Sequence, residues 1–248
     1  MGRVAALLGL LAALALYDTF HARLWSASTW WDVAFIAAVL MPLSFAVDWV
    51  LLPSRDAHWV LPAGLGLAVL AVLFHVAGWA TPENVSKLCA VTLVGFWFLR
   101  YFEAVSWVVL VALIIPWVDA FSVFSHRGPT HKIVANHPYV LNALSYAFPL
   151  PGEHAAANLG VPDVLFFALF LGAAARFRLR VRASFVLMAL SFGVTTAIAA
   201  WTDRALPATP LLSLAFLAAN ADLLWREWRR PATPSSESPA DRAPARTG

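Results

Sequence analysis

Residues 104–124 read AVSWVVLVALIIPWVDAFSVF, and this stretch decides the fold. Its apolar run is long enough to cross about 30 Å of hydrocarbon as a helix. Yet it carries an acid, Asp119, five residues before the run ends at Phe124. An ionised carboxylate on a membrane helix costs roughly 2.5–3.5 kcal/mol or more, so an acid kept there points to function. A second acid, Asp163, stands near the start of the next apolar run, with a polar loop between them.

The rest of the chain has the same character. Of 248 residues, 61% are hydrophobic and 12% charged, with a mean hydropathy of +0.73. Such a composition excludes a soluble globular domain and places the chain among all-α, polytopic helical membrane proteins. Runs of spanning length fall at 4–20, 31–53, 59–80, 86–99, 104–124, 159–175, 183–201 and 205–224. The fourth is short, so about eight or nine transmembrane helices are expected. Residues 1–103 form an N-terminal set and 104–230 a set holding both acids. Residues 231–248, rich in Pro, Ser and Ala, read as a disordered tail. Arg3 and the apolar core after it resemble a signal sequence, but Asp18, His21 and Arg23 follow where a cleavage site needs small residues, so an uncleaved span is expected. No internal repeat is visible.

The single cysteine, Cys89, lies inside an apolar run, which rules out an intrachain disulfide and denies a Cys/His metal cluster its sulfur. The net charge of +3 comes from arginines at the ends of apolar runs, as membrane anchoring requires, and no nucleic-acid partner is expected. Arg3, Arg55, Arg100, the run Arg176, Arg178, Arg180 and Arg182, and Arg226, Arg229 and Arg230 gather on one side. The positive-inside rule makes that side cytoplasmic, with the C-terminus inside and the 125–158 loop outside. The Ala-, Arg- and Pro-rich composition is compatible with a bacterial inner membrane. The run of four arginines reads as a topological anchor that also meets anionic lipid head groups.

In this topology the fifth span ends, and the sixth begins, at the same face. Asp119 and Asp163 then lie roughly 6–8 Å inside it at 1.5 Å per residue. Pro116, one turn before Asp119, kinks its helix and frees a carbonyl near the acid. Pro162 marks a helix start, which puts Asp163 in the first turn. Simpler readings exist for each: an acid in a first turn is favoured by the helix dipole, and Asp119 could pair with His126 or Arg127. Taken together, two carboxylates a few ångströms apart cannot both ionise. They share a proton, the arrangement that activates water and protonates an amide leaving group.

Three stretches around these residues resemble the intramembrane aspartyl proteases of the presenilin and signal peptide peptidase family, of the GxGD type. Trp117-Val118-Asp119-Ala120-Phe121-Ser122-Val123-Phe124 is similar to the first catalytic helix, with Val118 in place of Tyr. Leu159-Gly160-Val161-Pro162-Asp163-Val164 resembles the GxGD motif, with Pro162 in place of the second Gly. Leu206-Pro207-Ala208-Thr209 stands where the family carries its PAL motif, with Thr209 in place of Leu. The likeness covers about 104–228 and marks a divergent, prokaryotic-looking member. It implies a presenilin-like helical fold with Asp119 and Asp163 as catalytic acids. It also implies that Gly160, Pro162, Pro207, Ala208 and Thr209 border the substrate, and that no cofactor or metal is needed. The implied substrates are single-pass membrane proteins or signal peptides, cut inside the bilayer.

Other constellations compete. Seven histidines suggest haem, but only His75 lies deep in an apolar run, and the loop histidines lack metal spacing. Buried acids and broken helices also fit a proton-coupled small-molecule transporter, with Asp18 and Asp48 marking two ends of a path. A non-catalytic helix-binding protein is a third possibility. Asn220 and Asp222, at the opposite depth from the acid pair, are expected to serve helix packing. Nothing in the sequence fixes an oligomeric state.

Overall fold

The computed structural model describes residues 2–26, 28–125 and 143–229. In chain order they form α1 (Gly2–Phe20), α2 (Thr29–Phe35), α3 (Met41–Leu51), α4 (Val60–Ala77), α5 (Ala80–Phe98), α6 (Val105–Phe124), β1 (Ser145–Pro149), β2 (Ala156–Gly160), α7 (Val161–Arg176), α8 (Val181–Thr202) and α9 (Thr209–Trp228). Five helical segments are long and apolar enough to cross a membrane: Gly2–Arg23, Thr29–Ser54, Val60–Ala77, Val105–Phe124 and Val181–Thr202. The chain is therefore a polytopic, predominantly α-helical membrane protein. α5, α7 and α9 pack among these five. We call the end where α6 stops and α7 and α9 start the aspartate face, and the opposite end the arginine face.

The second span is one continuous helical rod in which α2 and α3 are joined by a π-helical turn, Ile36–Leu40. Pro42 follows two residues after its end. A proline lacks the N–H that would close the preceding turn, and a wider π turn absorbs the mismatch without breaking the rod.

α7 is the axis of the bundle. Phe167 to Leu171, with Ala173 and Ala174, are fully buried, although an isolated apolar helix would gain nothing by leaving lipid for protein. Close packing holds it there. Gly95 of α5 faces α7 so tightly that a Cβ at that position would lie 2.9 Å from the Leu165 carbonyl and 3.0 Å from Ala168 Cβ. One turn on, Gly172 of α7 admits Leu99 and Phe96 in the same way. These small residues let two backbones approach, as membrane helices require. Around them Phe45 stacks on Phe167 at 4.0 Å and on Phe192 at 5.1 Å, and Phe170 stacks on Phe216 at 4.8 Å. This tier of rings ties α3, α7, α8 and α9 together. Because the obstacle at Gly95 is a carbonyl oxygen and not a flexible side chain, Gly95→Ala is expected to cost about 1–3 kcal/mol. A lowered midpoint of thermal unfolding in detergent would register it.

Two features depart from the sequence reading. The fourth run, expected at 86–99, begins at Ala80: the polar residues Thr81 to Lys87 lower its hydropathy but not its helicity, and Lys87 pairs with Glu83 at 2.7 Å across one turn. The polar loop between the two acids also contains an antiparallel hairpin, with Ser145 opposite Gly160 and Pro149 opposite Ala156.

Candidate functional site

Three segments far apart in sequence meet at the aspartate face. Asp119, partly buried, projects from the last turns of α6. Thr209, 2% exposed, opens α9 and points two donors at the acid. Its Oγ1 donates to Asp119 Oδ2 at 2.6 Å, and its backbone N–H donates to the same oxygen at 3.3 Å. A helix start leaves its first N–H groups unpaired and carries a partial positive charge, so a carboxylate is a natural partner there. Pro210, next in the helix, gives up an N–H that has no intrahelical acceptor in any case.

Asp163 occupies the first turn of α7, as the proline before it indicates. Gly160, the N-cap, hydrogen-bonds through its backbone to the Asp163 carboxylate, the acid half of a capping box. A Cβ on Gly160 would lie 3.0 Å from Asp163 Oδ2, so the carboxylate fills the space a side chain would need. Asp119 acts electrostatically on Asp163. The structure thus sets Asp119 with Thr209 and Asp163 with Gly160 at the same end of the bundle. Ala208 is buried and starts α9 by accepting the Leu212 N–H at 3.2 Å. Pro162 is exposed, and Pro207 lies in the segment leading into α9.

The hairpin determines where Asp163 sits, because β2 runs into α7 through Gly160. Residues that the sequence reading did not single out anchor it. Asn84 of α5 donates to the Ala147 carbonyl at 2.8 Å and accepts the Ala147 N–H at 3.0 Å, satisfying the outer edge of β1. Lys87 donates to the Ser145 carbonyl at 3.0 Å. Tyr17 of α1 donates to the Pro149 carbonyl at 2.7 Å, and the Gly152 N–H bonds to the His21 carbonyl at 2.8 Å. The available signal was the polar pair Asn84 and Lys87 inside a run otherwise fit for lipid.

Several competing assignments resolve into structural roles. His75 is not deep: α4 ends at Ala77 under a left-handed Gly78 cap, and His75 in its last turn meets Glu83 at 3.0 Å. Among the described residues no group of three or more His, Cys, Asp or Glu could hold a metal. The histidines His126, His131 and His137, with Arg127, lie outside the described residues. Asn220 is fully buried, as expected of a packing residue. It accepts the Arg180 N–H at 2.8 Å and donates to Ser184 Oγ at 2.8 Å, while Asp222 pairs with Arg180 at 2.8 Å. The arginine run is therefore fastened to α9, and Arg176 reaches the Leu99 carbonyl at 2.9 Å.

Towards the arginine face α6 and α9 separate around a cavity of about 1190 Å³, lined by Val105, Val109, Leu113, Leu217, Leu224 and Trp228 among others. Its α6 wall ends at Leu113, roughly 9 Å of helix short of Asp119. The two helices thus close on each other at the Asp119–Thr209 contact and open below it. No protein-family model and no curated protein sequence matches the chain.

Thr209 stands where the resembling family has leucine, and it makes the direct contact with the acid. Thr209→Val keeps the shape but removes the hydroxyl donor. A hydrogen bond to a charged group contributes about 1.5–3 kcal/mol, so the bundle should lose about that much stability, with Thr209→Ser restoring most of it. Unfolding midpoints in detergent would check this.

Proposed function

We propose that the chain is an intramembrane aspartyl protease in which Asp119 and Asp163 act as a pair. The observation that carries this reading is the convergence at one depth of Asp119, Asp163 behind Gly160, and the Thr209 end of α9. These are three stretches separated by tens of residues, which one family resemblance picks out in the sequence. Two carboxyls in such a site hold one proton between them. The ionised member removes a proton from water as its oxygen attacks the scissile carbonyl carbon. The protonated member gives its proton to the departing amide nitrogen as the C–N bond breaks. Thr209 and Gly160 hold the two carboxyls in place.

The substrate in this reading is a single membrane-spanning segment or signal peptide, which reaches the acids when the α6–α9 contact at Asp119 and Thr209 opens. Its helix must unwind locally, because helical hydrogen bonding and side chains shield the carbonyl to be attacked. The protein acts in a bacterial inner membrane with its arginine face in the cytoplasm, and eight or nine spans complete the bundle.

The test is incubation of purified protein in lipid bilayers with a labelled single-span helix, with product masses locating the cut. Products arising within the apolar segment and absent from Asp119→Asn and Asp163→Asn protein support the reading. Cleavage that survives either change overturns the acid pair, and no cleavage by wild-type protein across varied helices overturns the protease in favour of a carrier or a helix-binding protein.

A further inference from the structure

A further buried acid lies outside the site described above. Asp48 of α3 is completely buried. Its Oδ1 accepts from Thr92 Oγ1 of α5 at 2.7 Å, while its Oδ2, equally hidden, has no hydrogen-bond partner. A buried carboxylate with an orphan oxygen and no countercharge is an expensive arrangement that something must relieve. Among the described residues the neighbouring groups supply no cation. From α5 come Cys89 and Thr92, and from β1 Tyr146; α1 offers Tyr17 and Asp18, while α7 and α8 meet α3 through Phe167, Phe185 and Phe192. Lys87, the nearest lysine along α5, is engaged by Glu83 and the Ser145 carbonyl.

Polar groups lead from Asp48 to the aspartate face. Ser44 is fully buried one turn before Asp48, on the same side of α3, and its hydroxyl bonds to the Tyr146 hydroxyl at 3.0 Å. Ser44 and Tyr146 in turn line a cavity of about 10 Å³ with Tyr17, Asp18 and Asn84. That volume is just enough for one water, and its polar side chains share the lining with Leu14, Leu40, Val85 and Phe148. Burial holds the Tyr146 phenol well above its ordinary range, so it stays a neutral hydroxyl able to both give and accept a hydrogen bond.

We propose that Asp48 is a proton-binding site separate from the Asp119–Asp163 pair, loaded from the aspartate face through the Tyr17–Asp18 cavity and the Ser44–Tyr146 hydroxyls. Asp48 Oδ2 takes a proton from hydronium, leaving water, and returns it by the same route. The bound proton neutralises the one carboxylate buried between α3 and α5 while Oδ1 keeps its bond to Thr92. A metal cation fits less well. Hard cations take about six or more oxygen ligands, and the described surroundings bring one carboxylate and one hydroxyl to this point.

The experiment is infrared spectroscopy of the reconstituted full chain carrying Asp119→Asn and Asp163→Asn, so that the acid pair does not contribute. A neutral carboxylic acid C=O band is expected at neutral pH. It should shift in D2O, vanish in the Asp48→Asn variant and move to higher frequency in Thr92→Val. If Asp48→Asn fails to fold, Thr92→Val decides: a moved band assigns the proton to Asp48, and an unmoved one overturns the proposal. A band of unchanged intensity in folded Asp48→Asn protein overturns it as well. So does a band that disappears on saturation with sodium at fixed pH, which would make this a metal-ion site.

Discussion

Replacing Asp119 or Asp163 singly by asparagine is expected to lower turnover of a membrane-spanning substrate by on the order of 10³-fold or more, and replacing both should lower it little further. Groups that act as one catalytic unit lose their effect together, so the single and double losses coincide. The choice of asparagine matters. At position 119 its amide oxygen can still accept the two donors of Thr209, so the α6–α9 contact persists. At position 163 the amide oxygen can still accept from the Gly160 backbone. The ability to hold and pass a proton is what disappears. Rates measured on the two single variants and the double variant, with unfolding curves confirming an intact bundle, decide the matter. Losses that multiply in the double variant would mean that the two acids work independently.

The second large effect is expected far from the acids in sequence. Asn84→Leu leaves the Ala147 N–H and C=O without the partner that now satisfies both. An unsatisfied buried backbone group costs about 1–3 kcal/mol, which makes the combined loss about 2–6 kcal/mol if no water replaces the amide. The penalty falls on β1, and through β2 it reaches Gly160 and Asp163. Faster hydrogen exchange over Ser145–Pro149, together with a drop in turnover, is the expected pair of results. Unchanged exchange in that strand would show that the remaining anchors, Lys87, Tyr17 and Gly152, suffice.

The helical frame was legible because spans announce themselves by length and hydropathy, and the two acids stood out because lipid makes them costly. The hairpin was hidden for a physical reason. Ser145–Pro149 and Ala156–Gly160 hold no β-branched residue, and their pairing depends on Asn84, Lys87 and Tyr17 of other helices. The start of α5 was missed because Thr81 to Lys87 dilute its hydropathy while serving those contacts. His75 seemed deep only because apolar residues continue past the Gly78 cap. Thr209 looked like a departure from a familiar motif, and no spacing rule could reveal that its hydroxyl reaches Asp119, since that depends on how α6 and α9 are rotated.

α7 has 16 residues, about 24 Å of helix, while the hydrocarbon layer is about 30 Å thick. The helix that carries Asp163 is therefore shorter than that layer, and β2 leads directly into its start. Lipid meets the longer helices around it, α6 with 20 residues and α8 with 22, so acyl-chain length reaches α7 only through them: a bilayer matched to those helices extends beyond the start of α7 and leaves Asp163 below its surface. A membrane's thickness, as much as its chemistry, would set how readily a hydrolytic water reaches the pair.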